Sequence, residues 1–287
     1  MAHADCVLSF GIRLVDSTTG YFSHRIPSDA QIDIQPFSVK LGDTSYPAVA
    51  TADLLQALLA LGEGVANYHP APLPEAHHRL ATPSETPIDQ AYLWQRLQRF
   101  IRADDVLVAE NGTSGAAIGG MRMPDGVQVV NQPIWGSIGY TLPALLGTMM
   151  AAPDRRHLLF IGDGSFQLTA QEVSTLLRYD QKPIIFLINN DGYTIERYIL
   201  GENSSYNDIG PWDYAKLPAV LNTQATPFSV AVETTQQLEI ALEHASRQDR
   251  LAFIEVKVPM MDTPPVMKEF CNRCNHFNFG LTNPRRA

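Results

Sequence analysis

Two short stretches of this 287-residue sequence hold groups that could do chemistry together. Gly162-Asp163-Gly164-Ser165 follows the apolar run Leu158–Ile161, and Asn189-Asn190-Asp191-Gly192 follows the run Ile184–Ile188. In an open α/β sheet, loops at the carboxyl ends of parallel strands face a crevice where ligands bind. One βαβ unit therefore brings Asp163 and Asn190 together although they are distant in the chain. A carboxylate, an amide oxygen and glycine carbonyls are hard oxygen donors. They suit Mg²⁺, which keeps few protein ligands and completes its octahedron with phosphate oxygens and water. The N–H groups of Gly164 and Ser165, in a glycine-permitted turn, are placed to cradle phosphate. Alone, a Gly-Asp-Gly turn is a tight loop and nothing more. The second loop at the next strand end makes the pair read as a clamp for a divalent ion and a diphosphate.

The elements that must position these loops follow from periodicity. Over residues 88–268 strand-sized and helix-sized patterns alternate, the signature of a mostly parallel sheet. Helices are expected at 89–101, after the glycine-rich turn 135–139 through Leu142, Leu145 and Leu146, at 169–179, and at 237–246. The third is expected to open on a capping box between Thr169 and Glu172. Strands are expected at 105–109, 127–130, 158–161, 184–188 and 252–256. Residues 1–62 form a smaller α/β piece, with short strands at 7–10 and 32–34 and a helix at 52–61. Residues 63–87 carry Pro70, Pro72, Pro74, Pro83 and Pro87 and read as a semi-extended linker. Residues 269–287 are polar and without period, and are expected to fray.

The stretch from Gly162 to Glu196 resembles the cofactor motif of thiamine diphosphate-dependent enzymes, which begins at GDG and ends at NN. Its tail, Asn190-Asp191-Gly192-Tyr193-Thr194-Ile195-Glu196, is similar to the 2-oxo acid decarboxylase branch, indolepyruvate decarboxylase in particular. The resemblance implies a parallel-sheet thiamine diphosphate-binding fold, preceded by a partial Rossmann-like α/β middle domain at 1–62. It implies Mg²⁺ ligands at Asp163, at the Asn190 side chain and at the Gly192 carbonyl, and a catalytic role for Glu196. Gly162, Asp163, Gly164, Ser165, Asn190, Gly192, Tyr193, Thr194 and Ile195 would contact thiamine diphosphate.

Residues 131–139 look like the family's cofactor loop, with Gly136 accepting from the aminopyrimidine, Ser137 beside it and Ile138 wedged under the bent cofactor. That bend would bring the amino nitrogen to the thiazolium carbon, a proximity effect. Residues 109–116 sit at another strand end, with Gly112 and Thr113 expected at the cofactor and Asn111, Gly115 and Ala116 at the substrate. Asn111 stands where relatives often have Gln, and Ala116 where an aromatic is common; small residues there would enlarge the pocket or have their space filled by something else. Ile195 and Ile199 would wall the substrate side chain, or pack in the core.

By the same resemblance, the chain lacks the family's N-terminal pyrimidine-binding domain and would not turn over alone. It would act as a homo-oligomer, a dimer or tetramer, or with a partner chain supplying that domain. The substrate class is a small 2-oxo acid, indole-3-pyruvate first, with pyruvate, phenylpyruvate or branched-chain 2-oxo acids as alternatives. A non-catalytic cofactor-binding remnant is the competing class.

Bulk properties narrow the remaining possibilities. A net charge of −9 argues against nucleic acid and anionic membrane partners. No apolar run reaches the roughly 18–20 residues that span a bilayer. Cys6, Cys271 and Cys274 are too few for a disulfide framework, so a cytoplasmic setting is expected. Cys271-x-x-Cys274-x-His276 looks like half a zinc site but is read as an accident of a surface tail. His77-His78 is read as solvated, His157 as an edge residue, and Asp154-Arg155-Arg156 as a solvated turn.

Overall fold

The computed structural model describes residues 4–62, 80–247 and 249–280. They fall into two compact units, on either side of residues 77 and 78.

The first unit contains β1 (Val7–Phe10), α1 (Asp16–Thr19), β2 (Gln31–Gln35), β3 (Ser38–Leu41), β4 (Thr44–Pro47) and α2 (Thr51–Gly62). Its sheet runs in the order β1-β2-β3-β4. Only β1 and β2 pair in parallel; β2, β3 and β4 form an antiparallel meander that the Rossmann-like expectation does not contain. The cause is local. Gly42 and Asp43 alone separate β3 from β4, and Gly42 takes φ +55°, the left-handed conformation that a two-residue hairpin loop demands.

The second unit runs through α3 (Gln90–Phe100), β5 (Val106–Ala109), α4 (Thr113–Gly119), β6 (Gln128–Val130), α5 (Thr141–Ala151), β7 (His157–Gly162), α6 (Asp163–Thr169), α7 (Glu172–Arg178) and β8 (Ile184–Asn189). It continues through α8 (Thr194–Leu200), α9 (Leu217–Leu221), β9 (Phe228–Val232), α10 (Thr235–Ala245), β10 (Ala252–Lys257) and α11 (Pro265–Phe279). Its six strands are all parallel, in the order β6-β5-β7-β8-β10-β9.

Both faces of this sheet are covered, which is why β5, β7 and β8 read as apolar runs, and β10 as one broken only by the buried Glu255. Alternate residues go to opposite sides. Leu107, Phe160, Phe186 and Ile254 pack with Leu93, Leu97 and Leu238 on one face. Val108, Leu159, Ile185 and Phe253 pack with Leu142, Leu145 and Val173 on the other. Phe160 and Phe186 face each other in register and stack with centroids 5.2 Å apart. That pair helps fix β7 against β8, and so fixes the loops that follow them.

Several expectations are corrected. The helix foreseen at 169–179 is two helices, α6 starting at Asp163 and α7 at Glu172. Thr169 makes no cap: its hydroxyl donates to the Gly139 carbonyl at 2.9 Å, while the Glu172 carboxylate accepts from Thr175. A capping box does exist at Thr234 and Gln237, at the start of α10. Residues 269–279 do not fray but belong to α11, with Cys271 and Cys274 fully buried and Asn275 donating to the Ile199 carbonyl at 3.0 Å. The Cys-x-x-Cys pair is thus core and not a surface accident, and burial first, then the neighbouring Cys274 and Glu196, pushes the Cys271 thiol up to about 12. No cluster of metal-binding His, Cys, Asp or Glu forms among the described residues.

His157 is buried in an interior strand, and burial pushes its pKa down. Arg156 is buried as well, held in a two-pronged pair with Asp105 at 2.8 and 2.5 Å. The distal end of the expected linker, Ser84–Pro87, is bonded to Thr234–Gln236 of the second unit. His77, His78 and most of that linker lie outside the described residues. No helix among the described residues is long and apolar enough to cross a membrane.

Candidate functional site

Gly162 of β7 pairs with Ile188 of β8, so the carboxyl ends of these strands lie side by side. Asp163 follows the first and Asn190 the second. The Asp163 carboxylate accepts the N–H of Gly164 at 2.8 Å and, across the strands, the N–H of Gly192 at 3.0 Å. The Asn190 amide nitrogen donates to Thr194 Oγ1 at 2.7 Å. The amide oxygen is thereby left 3.1 Å from the Gly192 carbonyl oxygen and 3.3 Å from Asp163 Oδ1. With the amide in this orientation three oxygens from three residues converge with no proton between them; reversed, its nitrogen would donate to the other two oxygens and its oxygen would accept from Thr194. The Gly192 carbonyl also takes the Thr194 N–H at 3.1 Å.

Electrostatics point the same way. Burial pushes the Asp163 carboxyl up to about 6, against the pull of the N–H groups of Gly192, Gly164 and Asp191, and the like charge of Asp191 adds to the rise. A buried carboxylate without a neighbouring cation, beside two more acceptors, is a group in need of positive charge. Hard oxygen donors of this kind fit Mg²⁺.

The glycines here serve close approach more than turn geometry. Gly164 is in the first turn of α6 and has no positive φ, which corrects the expectation of a glycine-permitted turn. A methyl group there would collide with the Tyr193 ring. Gly192 does need its freedom: its φ is +117°, and a Cβ would strike the Asn207 carbonyl oxygen. That oxygen accepts the Tyr193 N–H at 3.0 Å, which ties the ion loop to the following segment.

Above these loops opens a cavity of about 510 Å³. Gly162, Asp163, Gly164 and Ser165 line it from β7 and α6; Asn190, Gly192, Tyr193, Thr194, Ile195 and Glu196 line it from β8 and α8. Asn111, Gly112 and Thr113 reach it from the end of β5, and Gly136 and Ile138 from the loop before α5. Ser137, Gly115, Ala116 and Ile199 do not line it. Gly115 is pressed against Asn131 and the Glu110 carbonyl, so Ala116 beyond it does not enlarge the cavity. Ile199 sits on α8 with its carbonyl capped by Asn275.

Four residues that the sequence reading did not assign belong here. Ser114, Tyr206 and Asn207 line the cavity. Glu110 is buried behind it, and its carboxylate takes the N–H of Asn111 at 2.9 Å, the N–H of Gly139 at 3.0 Å and the Thr141 hydroxyl at 2.7 Å. It thereby holds the 136–139 loop to the end of β5. A charged residue closing an apolar strand, DVLVAE, is the signal that could have found it.

Glu196 is half-buried on α8, and burial raises its pKa. Its helix is pinned by two hydroxyls: Thr194 donates to the Met260 carbonyl at 2.6 Å and Tyr198 to the Met261 carbonyl at 2.7 Å. Arg197, fully buried beside it, donates to the Asp191, Glu202 and Asn207 carbonyls and pairs with Asp208 at 2.7 Å.

Residues 111–256, just over half of the chain, match the family model described as thiamine pyrophosphate enzyme, C-terminal TPP binding domain. The chain belongs to this family. An alpha-keto-acid decarboxylase of Mycolicibacterium paratuberculosis is 37% identical over 269 residues, 93% of this chain and 48% of that protein. Pyruvate decarboxylase isozyme 2 of Saccharomyces cerevisiae is 40% identical over 270 residues, 91% of this chain and 48% of that protein. The chain thus spans about half the length of the curated relatives it matches. The crystal structure of benzoylformate decarboxylase from Polynucleobacter necessarius shares the fold, with a TM-score of 0.64 at 18% identity over 91% of this chain and 50% of that one. As a member of the thiamine pyrophosphate enzyme family, the chain has a sheet whose strand ends suit the cofactor's two needs. Oxygens at the ends of β7 and β8 fit a divalent ion, and the N-terminal turn of α6 fits a diphosphate.

Proposed function

We propose that this chain is the diphosphate- and Mg²⁺-binding part of a thiamine diphosphate-dependent enzyme that decarboxylates a 2-oxo acid to the aldehyde without oxidation. The observation that carries the reading is the convergence of Asp163, Asn190 and the Gly192 carbonyl beneath a cavity that Glu196 also lines. The names of the relatives support the reaction class.

Asp163, Asn190 and Gly192 would hold the ion, and Ser165 would turn its N–H toward the diphosphate, while the Gly164 N–H, which the sequence reading gave the same task, is taken by the Asp163 carboxylate. Gly136 and Ile138 would seat the aminopyrimidine and its bend. Thiamine diphosphate, when bound, supplies the electron sink that a departing CO₂ requires. Glu196 then has the proton work. Burial keeps its carboxyl protonated to higher pH than an ordinary glutamate, so it can hold a proton at its carboxyl oxygen and return it as the aldehyde leaves. Asn111, Ile195 and Glu196 would face the substrate, and the apolar lining around them would exclude water.

Within this class indole-3-pyruvate is the first candidate, on the likeness of the Asn190–Glu196 tail. Pyruvate is the second, favoured by the 40% identity to a pyruvate decarboxylase. The active form would be a homo-oligomer, or a complex with a chain that supplies a pyrimidine-binding domain. The test is aldehyde formation from a panel of 2-oxo acids, by the chain combined with such a domain, with cofactor binding followed in parallel. Binding of thiamine diphosphate with Mg²⁺ and release of one aldehyde are expected. Cofactor binding without any aldehyde would leave a non-catalytic remnant, and no cofactor binding would remove the proposal altogether.

A further inference from the structure

We propose that Thr194 is a positioning residue that decides which atom of Asn190 faces the ion. The inference rests on the reading of Asp163, Asn190 and Gly192 as ion ligands and goes one layer beyond it.

Thr194 Oγ1 lies 2.7 Å from the Asn190 amide and 2.6 Å from the Met260 carbonyl oxygen. Contacts this short each need a proton. A hydroxyl has one, and the Met260 carbonyl has none, so the Thr194 proton goes to Met260. The other contact must then be donated by Asn190, which puts its nitrogen at Thr194 and its oxygen at the ion position.

Without that demand the amide would turn over. Reversed, its nitrogen would donate to the Gly192 carbonyl at 3.1 Å and to Asp163 Oδ1 at 3.3 Å, and its oxygen could take the Thr194 proton only at the expense of the Met260 carbonyl. Two bonds would replace one, one of them to a carboxylate and therefore charge-assisted. The site would then be closed by its own amide protons, with an N–H donor where a cation has to sit. Thr194 is 2% exposed and Asn190 5% exposed, so water does not readily take over the hydroxyl's part. The backbone of Met260, just past the end of β10, thus reaches the ion through two side chains.

The experiment titrates Mn²⁺ into the full chain after chelator treatment and reads free Mn²⁺ by electron paramagnetic resonance. Wild type, Thr194→Val and Thr194→Ser are compared, the first two also in an Asn190→Asp background. Thr194→Val keeps the shape and removes the hydroxyl; it is expected to weaken Mn²⁺ binding about 10–100-fold, the usual effect of losing an outer-shell partner. The metal-free melting temperature should fall by a similar amount in both backgrounds, because the Met260 carbonyl loses its donor in each. Thr194→Ser should bind as wild type does. In the Asn190→Asp background the Val substitution should matter far less to Mn²⁺ binding, since a carboxylate presents oxygen whichever way it turns. If Val upsets packing, Thr194→Ala carries the same expectation. Equal Mn²⁺ affinity in wild type and Thr194→Val would overturn the inference while leaving the ion site standing, as would an equal loss of affinity in both backgrounds. A wild-type chain that binds no Mn²⁺ would sink the ion site and the inference with it.

Discussion

Replacing Gly192 by alanine tests the most constrained point of the site. The φ of +117° lies where side-chain-bearing residues are strained, at about 1–3 kcal/mol. The added methyl would also run into the Asn207 carbonyl oxygen, with Arg197 Nη2 at 3.3 Å closing the escape, and overpacking of this kind costs about 1–3 kcal/mol more. The sum is a destabilisation of about 2–6 kcal/mol. In a domain of this size that corresponds to a fall in Tm of roughly 5–20 °C. Gly147 supplies the control. It is exposed in the middle of α5, with nothing within 4 Å of its missing methyl group. There Gly147→Ala should stabilise by about 0.5–1 kcal/mol, through backbone entropy alone. All three tryptophans, Trp94, Trp135 and Trp212, belong to the second unit, so urea unfolding followed by their fluorescence reports that unit. Opposite signs for one chemical change are the expected result. A Gly192→Ala chain within about 0.5 kcal/mol of wild type would refute the steric argument, and so would equal losses at both positions.

Other expectations follow from the same geometry. Glu196→Gln should lower turnover of the complete enzyme by about 10²–10⁴-fold, as steady-state aldehyde assays would measure. Because burial raises the Glu196 pKa, the stability of its protonated form is lost as pH rises through the folded value, so at neutral pH the Gln variant should melt no lower than wild type. His157 has the opposite sign: its pKa is lowered on folding, so below about 6.5 the unfolded chain takes up a proton that the folded one refuses. Between pH 7.5 and pH 5.5 this works against the stabilisation that the raised Asp163 and Glu196 carboxyls bring on acidification, so the urea midpoint of His157→Gln should rise relative to that of wild type as pH falls. Glu110→Gln leaves one of three donors facing an amide N–H₂ group, and should cost about 1–3 kcal/mol and loosen the loop at Gly139. Quenching of Trp135 in that loop by titrated thiamine diphosphate should then need more ligand.

Much of this fold was legible in the sequence because a two-faced parallel sheet writes its strands as apolar runs. β5, β7 and β8 are such runs, and the loops that follow the last two carry Asp163 and Asn190. What escaped has physical reasons. The buried face of α11 falls on Met267, Cys271, Cys274 and Asn275, a regular helical spacing. Two cysteines and an asparagine do not register as an apolar stripe, so the segment looked polar and unstructured. β9 is an edge strand with a single buried residue, Val232, and its pattern is correspondingly faint. The false cap at Thr169 shows the limit of a four-residue motif: Thr and Glu stood at the right spacing, but a carbonyl from another loop took the hydroxyl. Ala116 and Ile199 missed the cavity because neighbours in sequence do not share an orientation. Glu110 was passed over because its work is to steady the amides of Asn111 and Gly139, and its one signal is a lone charge at the end of an apolar strand.

The pairing of β7 with β8 has a practical consequence. Both halves of the proposed ion-binding set are delivered by strand ends, joined by α6, whose first turn lines the cavity, and α7, whose Val173 packs on the sheet. A polypeptide nicked at the turn around Asp180 and Gln181 would still present both oxygen donors wherever the two pieces reassociate edge to edge. On this reading complementation between such fragments is expected, with the sheet and not the covalent chain bringing positions 163 and 190 together.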